Sequence, residues 1–335
     1  MADWISQLKD YTFLVTGSAG FIGYHVARAL LAAGGRVVGL DNYNDYYSPA
    51  LKRDRDRELR NFPQFTSITA DLTDFAALEG LFKAHGPQKI CHLAAQAGVR
   101  YSLINPFSYQ KANLEGFLNL LELAKRFRVD RFVYASSSSV YGGLTELPFS
   151  EDQRVDTPIS LYAATKRADE LMAHAYTHLF GIPTVGLRYF TVYGPWGRPD
   201  MAMWLFAASM LAGQPIKVFN YGEMQRDFTY IDDIVQGTLA ALMVPGLAPY
   251  EIFNLGNHRS EELTLVIALL EQELGVEAQK ELLPIQPGDV PATFADIRRA
   301  QSRLGFQPTT PITLGIPRFI QWFKDYHGLP LSAVD

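Results

Sequence analysis

The 335-residue chain contains a single cysteine, Cys91, so it has no partner for an intramolecular disulfide and fits a reducing compartment. Basic residues are not in excess, and the net charge of −5 counts against a nucleic-acid-binding protein. No apolar run approaches the ~18 residues that spanning a bilayer requires. The N-terminal segment lacks the basic start and apolar centre of a signal peptide. We therefore expect a cytoplasmic protein that binds neither nucleic acid nor membrane.

Short apolar runs alternate with helical patterns through the first two thirds of the chain. The pattern predicts strands at Thr12–Thr16, Arg36–Leu40, Ser67–Ala70, Lys89–Leu93, Arg131–Ala135 and Thr184–Tyr189. Continuous apolar strands separated by helices are typical of a parallel sheet covered on both faces. The fold class predicted is α/β, with a Rossmann-type doubly wound parallel sheet.

The alternation of predicted strands and helices ends after about residue 190, where proline, glycine and aromatic residues are frequent in Tyr193–Asp200 (YGPWGRPD). Ile252–Gly256 (IFNLG) reads as one more strand that returns to the main sheet. We therefore predict two domains. Residues 1–189, together with about 230–257, form the nucleotide-binding domain. Residues of about 190–229 and 258–335 form a smaller, discontinuous α/β substrate domain.

Two predicted helices, Pro106–Phe127 and Leu161–Phe180, are longer and more apolar than packing on a sheet needs. The second begins after Ser160, a suitable N-cap, and ends at Gly181. Their apolar surface leaves room for a second interface in addition to the contact with the sheet. The charged run Lys52–Arg60 reads instead as a solvated helix.

Gly17, Gly20 and Gly23 lie in TGSAGFIG, between the first strand and the first helix. Small residues let the backbone approach a pyrophosphate, and the helix N-terminus offers N–H donors. Asp41 follows Gly23 by 18 positions, where a carboxylate would bind the ribose hydroxyls and repel a 2′-phosphate. The pattern favours NAD over NADP. Asp71, after the third strand, either reaches the adenine or caps the next helix.

A serine cluster, Ser136–Gly142 (SSSSVYG), follows the predicted strand RFVYA, and Tyr162 and Lys166 stand four apart in YAATK. Residues four apart share one helix face. A cation beside a tyrosine stabilises its phenolate, so that the tyrosine can act as a base. The ends of parallel strands are where ligands meet such sheets. Serine, tyrosine and lysine together predict a catalytic site.

The glycine pattern, HLAAQ (His92–Gln96), SSSSVYG, YAATK and RYFTVYGP (Arg188–Pro195) occur in the order seen in extended short-chain dehydrogenases/reductases, which this chain resembles over nearly its whole length. Within that group it is most similar to UDP-glucuronate 4-epimerases. That similarity lies in DNYNDYYSPALKR, AAQAGVRYS, GRPDMA, RDFTYIDD and QPGDVPATFADI. Many UDP-galactose 4-epimerases have Asn where Thr191 stands and Arg where Gln286 stands, which argues against a neutral hexose as the main substrate.

The resemblance implies a tightly bound, recycled NAD and a UDP-sugar substrate. It also implies a homodimer, in which the helices Pro106–Phe127 and Leu161–Phe180 pair with their copies in a four-helix interface. The residues implied for NAD are Gly17, Gly20, Phe21, Ile22, Gly23, Asp41, Asn42, Asn44, Asp71, Leu72, Leu93, Ala94, Ala95, Gln96, Tyr162, Lys166 and Tyr189. Catalysis is implied for Ser137, Tyr162 and Lys166. Substrate binding is implied for Arg100, Ser137, Ser138, Ser139, Thr191, Arg198, Phe219, Arg226 and Asp289. In that scheme Arg226 holds the diphosphate, Asp289 and Phe219 the uridine, and Thr191 and Arg198 the sugar carboxylate.

The reaction so implied is oxidation at C4 with Tyr162 as base, followed by reduction of the 4-keto sugar from its other face. UDP-glucuronate decarboxylase and UDP-glucose or UDP-N-acetylglucosamine 4-epimerase remain the alternatives. Related decarboxylases and dehydratases carry an acidic residue just after the catalytic Ser or Thr, whereas this chain has Ser138 and Ser139 there. A cofactor-sensing regulator is a further alternative, but such a protein is expected to lack part of the Ser–Tyr–Lys set.

Other residues that could carry chemistry have simpler interpretations. Cys91 and His92 lie on a predicted buried strand and are read as core residues. His174 and His178 have a spacing able to bind metal, but no third ligand is evident, and we predict no metal site. Asn113 either touches the nicotinamide or braces a helix.

Overall fold

The computed structural model describes residues 3–286 and 288–328 of the chain. Its centre is a seven-stranded parallel sheet in the order β11-β6-β5-β4-β1-β2-β3. These strands are β1 (Thr12–Thr16), β2 (Arg36–Asp41), β3 (Phe65–Thr69), β4 (Lys89–His92), β5 (Arg131–Ser137), β6 (Thr184–Tyr189) and β11 (Tyr250–Leu255). The α/β fold class and the return of a late strand to the main sheet are confirmed.

Helices lie on both faces of the main sheet and among the segments outside it. They are α1 (Phe21–Ala32), α2 (Pro49–Leu59), α3 (Phe75–His85), α4 (Pro106–Tyr109), α5 (Gly116–Phe127), α6 (Leu161–Phe180), α7 (Ala202–Leu211), α8 (Ile231–Met243), α9 (Leu263–Leu274), α10 (Arg298–Leu304) and α11 (Ile312–His327). Among the described helices, none combines the length and the apolar content that crossing a membrane requires.

The sheet grows in both directions from β1, which pairs with β2 on one side and with β4 on the other. A crevice opens at such a reversal, outside the carboxyl ends of the strands, and ligands bind there in open parallel sheets. Every residue of β4 and β6 is buried, which explains why both strands read as continuous apolar runs. The topology therefore predicts where the site lies.

Outside the main sheet, the described residues form three two-stranded sheets. They pair β7 (Thr191–Tyr193) with β10 (Phe228–Tyr230), β9 (Gln225–Arg226) with β12 (Glu261–Glu262), and β8 (Ile216–Phe219) with β13 (Lys280–Leu283). The first and third are parallel and the second is antiparallel. These pairs join distant segments, as expected of a smaller discontinuous unit, and the domain boundaries themselves stay a prediction.

Two local expectations need correction. The third strand begins at Phe65 rather than Ser67, because its pairing with β2 starts with Phe65 opposite Val37. The helix expected over Pro106–Phe127 has those ends, but α4 and α5 are separated by a π-helical segment, Gln110–Glu115. Such a bulge inside a helix often marks a functional site.

The helix over Leu161–Phe180 has the bounds and the cap that the sequence predicts. The hydroxyl of Ser160 accepts a hydrogen bond from the N–H of Ala163 at 3.1 Å. Gly181 ends α6 in the left-handed region, with φ of 70°, which a glycine adopts without strain. Both ends of the helix that carries Tyr162 and Lys166 are thus specified locally.

Candidate active site

A cavity of about 960 Å³ opens at the carboxyl ends of the main-sheet strands. All residues that the sequence assigned to cofactor, catalysis or substrate line it. On the cofactor side these are Gly17, Gly20, Phe21, Ile22, Gly23, Asp41, Asn42, Asn44, Asp71, Leu72, Leu93, Ala94, Ala95, Gln96 and Tyr189. The residues assigned to catalysis or substrate that line the cavity are Arg100, Ser137, Ser138, Ser139, Tyr162, Lys166, Thr191, Arg198, Phe219, Arg226 and Asp289. The fold brings these side chains together, and the role of each stays a prediction.

The glycine loop is packed so closely that side chains do not fit. A Cβ on Gly17 would lie 2.8 Å from the backbone nitrogen of Ala94, and one on Gly20 would lie 2.9 Å from the carbonyl oxygen of Gly17. A Cβ on Gly23 would overlap that same carbonyl. Gly17 also has a φ of +71°. The bare backbone before α1 therefore forms a cradle whose N–H groups and helix dipole suit a diphosphate.

Asp41 ends β2 and is held by the backbone. Its carboxylate accepts hydrogen bonds from the N–H groups of Ala19 at 3.1 Å and Tyr43 at 2.9 Å. Burial raises the pKa of Asp41, and the hydrogen bond from Tyr43, together with the charge of Lys52, opposes that rise. A fixed carboxylate at this place suits the hydroxyls of a ribose and repels a phosphate, so the residues present fit NAD.

Asp71 is not a helix cap. Asp74 caps α3, accepting a hydrogen bond from the N–H of Ala77 at 3.0 Å. Asp71 instead accepts from the side chain of Asn42 at 2.8 Å and from the N–H of Thr73 at 2.9 Å. It lines the cavity beside Asn42, which leaves contact with the adenine as the interpretation that remains.

The three residues predicted for catalysis line the same cavity. Ser137 ends β5, and its hydroxyl oxygen accepts a hydrogen bond from the N–H of Ser139 at 3.1 Å. Tyr162 and Lys166 lie one turn apart on α6 and therefore face one side. A strand end and a capped helix thus present a hydroxyl, a phenol and a cation to one space.

Lys166 has a buried partner that the sequence analysis missed. Its ammonium lies 3.2 Å from a carboxylate oxygen of Asp169, and both side chains are almost fully buried. Burial raises the pKa of Asp169 to about 7, although the charge of Lys166 works in the opposite direction. The signal was present in the sequence, because residues three apart on a helix are neighbours.

A second buried ion pair lies beneath the serine strand end. Arg188 on β6 donates two hydrogen bonds to Glu170, at 2.8 and 2.9 Å, and Ser136 donates to the same carboxylate at 2.6 Å. Burial raises the pKa of Glu170, but the hydrogen bonds and charge of Arg188 outweigh it and hold that pKa below its usual value. The pair ties α6 to β5 and β6, and so fixes Tyr162 relative to Ser137.

Asn113, in the π-helical segment, braces the site. Its side-chain oxygen accepts from the N–H of Gln96 at 2.8 Å, and its amide donates to the carbonyl of Gln96 at 3.1 Å and to the hydroxyl of Thr165 at 3.0 Å. It is buried and does not line the cavity. Of the two interpretations, bracing fits the structure, because the side chain joins the strand end after β4 to the helix of Tyr162.

Toward the C-terminal region, four predicted substrate residues form a cluster. The guanidinium of Arg100 lies 2.8 Å from the carboxylate of Asp289 and 4.7 Å from the ring centroid of Phe219. Arg226 donates to the carbonyl oxygens of Gln225 and Pro291, at 2.9 and 3.1 Å. Burial lowers the pKa of Arg226, as for any cation away from water. An aromatic ring, a carboxylate and two guanidinium groups together suit a nucleoside diphosphate.

Arg198 enters the cavity but is already paired. Its guanidinium Nε and Nη2 lie 3.0 and 2.5 Å from the two carboxylate oxygens of Asp200. Tyr46 donates to the same carboxylate at 3.0 Å. Although burial raises the pKa of Asp200, the charge of Arg198 outweighs it and holds that pKa below its usual range. A sugar carboxylate at this place therefore competes with Asp200 or uses the remaining N–H groups of Arg198.

Sequence analysis missed Tyr46 and Asp200, both of which line the cavity. Tyr46 lies in the DNYNDYY segment after Asp41, and Asp200 lies in YGPWGRPD. Both segments stand out in the sequence, but no short-range pattern indicates that Tyr46 and Asp200 contact each other.

The expectation of a solvated helix over Lys52–Arg60 is wrong for its inner face. Lys52, Arg55 and Asp56 on α2 are buried. Lys52 donates to the carbonyl and side-chain oxygens of Asn44, at 2.7 and 2.6 Å, and lines the cavity. Because α2 packs against the loops that surround the cofactor side, its charged residues are drawn inside.

The core interpretation of Cys91 and His92 agrees with their complete burial on β4. The Nδ1 of His92 lies 2.7 Å from the hydroxyl of Thr16, and burial lowers the pKa of His92 to about 3. The ring of His174 meets that of Tyr250 edge-on, and His178 is exposed. Within residues 3–286 and 288–328, no group of three histidine, cysteine or acidic side chains is placed to hold a metal ion.

The fold, the glycine cradle and the Ser–Tyr–Lys set define a class of enzyme. The chain belongs to the NAD dependent epimerase/dehydratase family, which it matches over residues 13–256. It is an NAD-dependent sugar-nucleotide epimerase of the extended short-chain dehydrogenase/reductase type.

UDP-glucuronate 4-epimerases are among the proteins to which the chain is similar. The chain is 48% identical over 339 residues to UDP-glucuronate 4-epimerase 4 of Arabidopsis thaliana, covering 96% of this chain and 77% of that protein. The crystal structure of UDP-glucuronic acid 4-epimerase from Bacillus cereus, in complex with UDP-glucuronic acid and NAD, superimposes with a TM-score of 0.89 at 37% identity, covering 94% of this chain and 99% of that one. An uncharacterized protein of Methanocaldococcus jannaschii is 51% identical over 320 residues, covering 95% of this chain and 98% of that protein.

Proposed function

We propose that this enzyme inverts C4 of UDP-glucuronate to give UDP-galacturonate. The observation that carries the proposal is that one cavity is lined by a cofactor cradle, a Ser–Tyr–Lys set, the cluster of Arg100, Phe219, Arg226 and Asp289, and the guanidinium of Arg198. Its similarity over nearly the whole chain to UDP-glucuronate 4-epimerases of known structure supports the same substrate.

The glycine cradle and Asp41 would hold NAD, which when bound would supply both the acceptor and the donor of the C4 hydride, so that net redox is zero. Tyr162, as phenolate, takes the proton of the C4 hydroxyl and later returns one. Lys166 stabilises that phenolate by its charge, and Ser137 orients the hydroxyl by a hydrogen bond. The Glu170–Arg188 pair, which joins α6 to β5 and β6, keeps the base and the serine at fixed separation.

A uronate places a further demand on the site. The 4-keto form is a β-keto acid, which loses CO₂ when its C5–C6 bond aligns with the carbonyl π system. The enzyme must therefore hold the carboxylate close to the carbonyl plane. Ser138, Ser139 and Thr191 line the cavity and are short neutral donors suited to that task. The lack of an acidic residue directly after Ser137 argues against decarboxylation.

The deciding experiment is incubation of purified enzyme with UDP-glucuronate, read by proton NMR. UDP-galacturonate as product supports the proposal. UDP-xylose or a UDP-4-keto-pentose would indicate a decarboxylase. Turnover of UDP-glucose or UDP-N-acetylglucosamine alone would indicate a hexose 4-epimerase.

The enzyme is proposed to act as a homodimer. Both α5 and α6 carry exposed leucine or phenylalanine side chains, Leu118 on α5 and Leu171, Leu179 and Phe180 on α6. A second copy placed across a twofold axis would bury these faces in a four-helix interface. Light scattering at micromolar concentration should give the mass of a dimer, and a monomer alone would contradict this arrangement.

A cytoplasmic location is proposed too, supported by the single cysteine.

A further inference from the structure

Arg55 is a buried cation with only neutral partners. The side chain is 0% exposed, and no carboxylate of the described residues forms an ion pair with it. Its Nη1 donates to the carbonyl of Ala19 at 2.9 Å and to the hydroxyl of Tyr47 at 2.8 Å. Its Nη2 donates to the carbonyls of Trp196 and Gly197, at 2.6 and 2.9 Å. A charge removed from water without an opposite charge is costly, so these contacts are unusual ones for a fold to keep.

His25 on α1 contacts Pro195, which directly precedes the two residues whose carbonyls accept from Arg55. Its Nε2 lies 2.9 Å from the carbonyl oxygen of Pro195. Burial lowers the pKa of His25 to about 4, so the ring is neutral near pH 7 and Nε2 carries the donated proton. The carbonyl oxygens of three consecutive residues, Pro195, Trp196 and Gly197, thus all accept hydrogen bonds from side chains of α1 and α2. We call His25 and Arg55 the clasp.

The loop that the clasp holds is strained. Trp196 has a φ of +58°, a left-handed conformation that a bulky side chain rarely adopts. Such a conformation persists only where the surroundings impose it. Its ring packs on Tyr24 of α1 and on Trp322 and Tyr326 of α11, with centroids 5.3–5.4 Å apart. Two residues further on, Arg198 enters the cavity. The direction of Arg198 therefore depends on a backbone that the clasp keeps in place.

The other end of the clasp touches the cofactor loop. Ala19, whose carbonyl accepts from Arg55, lies between Gly17 and Gly20, and its N–H donates to Asp41. One guanidinium thus contacts the cradle proposed for the diphosphate and the loop that carries Arg198. We propose that His25 and Arg55 are positioning residues that couple the cofactor cradle to the sugar pocket and so determine the preference for a uronate. This inference rests on the proposed function, which assigns UDP-glucuronate to the pocket.

The test compares three variants with the wild-type holoenzyme. R55K keeps the charge but not the forked geometry that reaches three carbonyls. H25F keeps an aromatic ring of similar size and removes the bond to Pro195. R57K is the matched control, because Arg57 lies on the same helix, is exposed and pairs only with Asp54 in the described structure. For each, kcat/KM is measured on UDP-glucuronate and UDP-glucose, and the NAD retained after gel filtration is quantified from the denatured protein.

We expect R55K to reduce the ratio of kcat/KM between the acid and the neutral sugar by ~10-fold or more, since a small displacement of a positioning group is costly. Its retained NAD should fall as well. H25F should reduce the ratio while retaining more NAD than R55K, because it leaves the contact with Ala19 intact. R57K should match the wild type in both measurements.

Folded R55K and H25F, shown by circular dichroism and an unfolding transition, that keep the wild-type ratio would overturn the inference. An equal loss on both sugars with unchanged NAD content would do the same, since it indicates a purely structural role. If R55K does not fold, H25F alone decides by the ratio. A wild-type enzyme without preference for the uronate would refute the proposed substrate instead, and the NAD retained by R55K would still test the link to the cofactor loop.

Discussion

The cofactor side and the sugar side of the cavity are held by different kinds of contact. On the cofactor side, Gly17, Gly23 and Asp41 come from one short stretch of chain, and backbone hydrogen bonds and close packing fix them. On the sugar side, charged and polar side chains contact one another, and some come from distant segments, as Arg100 does with Asp289 and Tyr46 with the Asp200 that pairs with Arg198.

The difference has a physical consequence. A cradle of backbone atoms has no alternative arrangement, so it accepts one kind of group and tolerates little change. Ion pairs between partly exposed side chains are worth little individually and can exchange partners with a charged ligand. The cofactor side is therefore suited to permanent binding, and the sugar side to binding and release at each turnover.

The largest expected effect lies where the two sides meet. Y162F should fold and bind NAD as the wild type does but lose ~10²–10⁴-fold in kcat, because it lacks the phenolic oxygen proposed to take the C4 proton. The measurement is kcat on UDP-glucuronate, with NAD content as the check on the cofactor side. Retention of more than a tenth of wild-type kcat, a loss under ~1.4 kcal/mol, would show that Tyr162 is not the base.

A change on the cofactor side should affect folding and cofactor together. G23A places a methyl group on the carbonyl of Gly17 and should cost about 1–3 kcal/mol of unfolding free energy, with loss of retained NAD. The matched control is G80A in α3, where no atom lies within 4 Å of the added Cβ. That variant should be neutral or more stable by ~0.5–1 kcal/mol. Equal behaviour of the two in chemical denaturation would remove the argument for a rigid cradle.

A change on the sugar side should alter selection alone. The wild-type enzyme should prefer UDP-glucuronate to UDP-glucose by ~10² or more in kcat/KM, and R198A should reduce activity on the acid far more than on the neutral sugar. Some UDP-4-keto-pentose or UDP-xylose should appear if the carboxylate leaves the carbonyl plane. Equal kcat/KM of the wild type on both sugars would refute the uronate assignment.

D200N sharpens the same comparison, because it removes the anion that competes with a uronate for Arg198. The preference for UDP-glucuronate should rise, chiefly through a lower KM. A fall in that preference would show that Asp200 serves to hold Arg198 in position.

The last effect lies away from the reacting groups, in the strand beneath the cavity. Since burial lowers the pKa of His92 to about 3 from an unfolded value near 6.5, His92 binds protons more readily in the unfolded chain. Its contribution to stability is present above pH 6.5 and is lost progressively as the pH falls from 6.5 toward 3. Between pH 7 and pH 5, H92N should lose about 2 kcal/mol less unfolding free energy than the wild type. An equal loss of unfolding free energy between the two pH values in H92N and in the wild type, measured by chemical denaturation, would contradict this.

Local pattern predicted much of the site. The strands, the glycine loop, Asp41 at a strand end and the Tyr162–Lys166 pair follow from periodicity, capping and spacing within one stretch of chain, whereas the order of the strands came from the structure. Asp71 and Asn113 were left open between two interpretations, because each depended on a partner elsewhere. In the structure Asp74 caps α3, and the side chain of Asn113 forms hydrogen bonds with Gln96 and Thr165.

The sequence by itself determined the fold class and the glycine loop and predicted the Tyr162–Lys166 pair, since each depends on residues that are neighbours along the chain or on one helix face. The tertiary structure alone decided that Arg55 is buried, that Asp169 accompanies Lys166 into the interior, and that Tyr46 and Asp200 meet at Arg198. The physical reason is that a charged side chain is exposed or buried according to what packs against its helix, and that partner comes from a segment far away in the sequence.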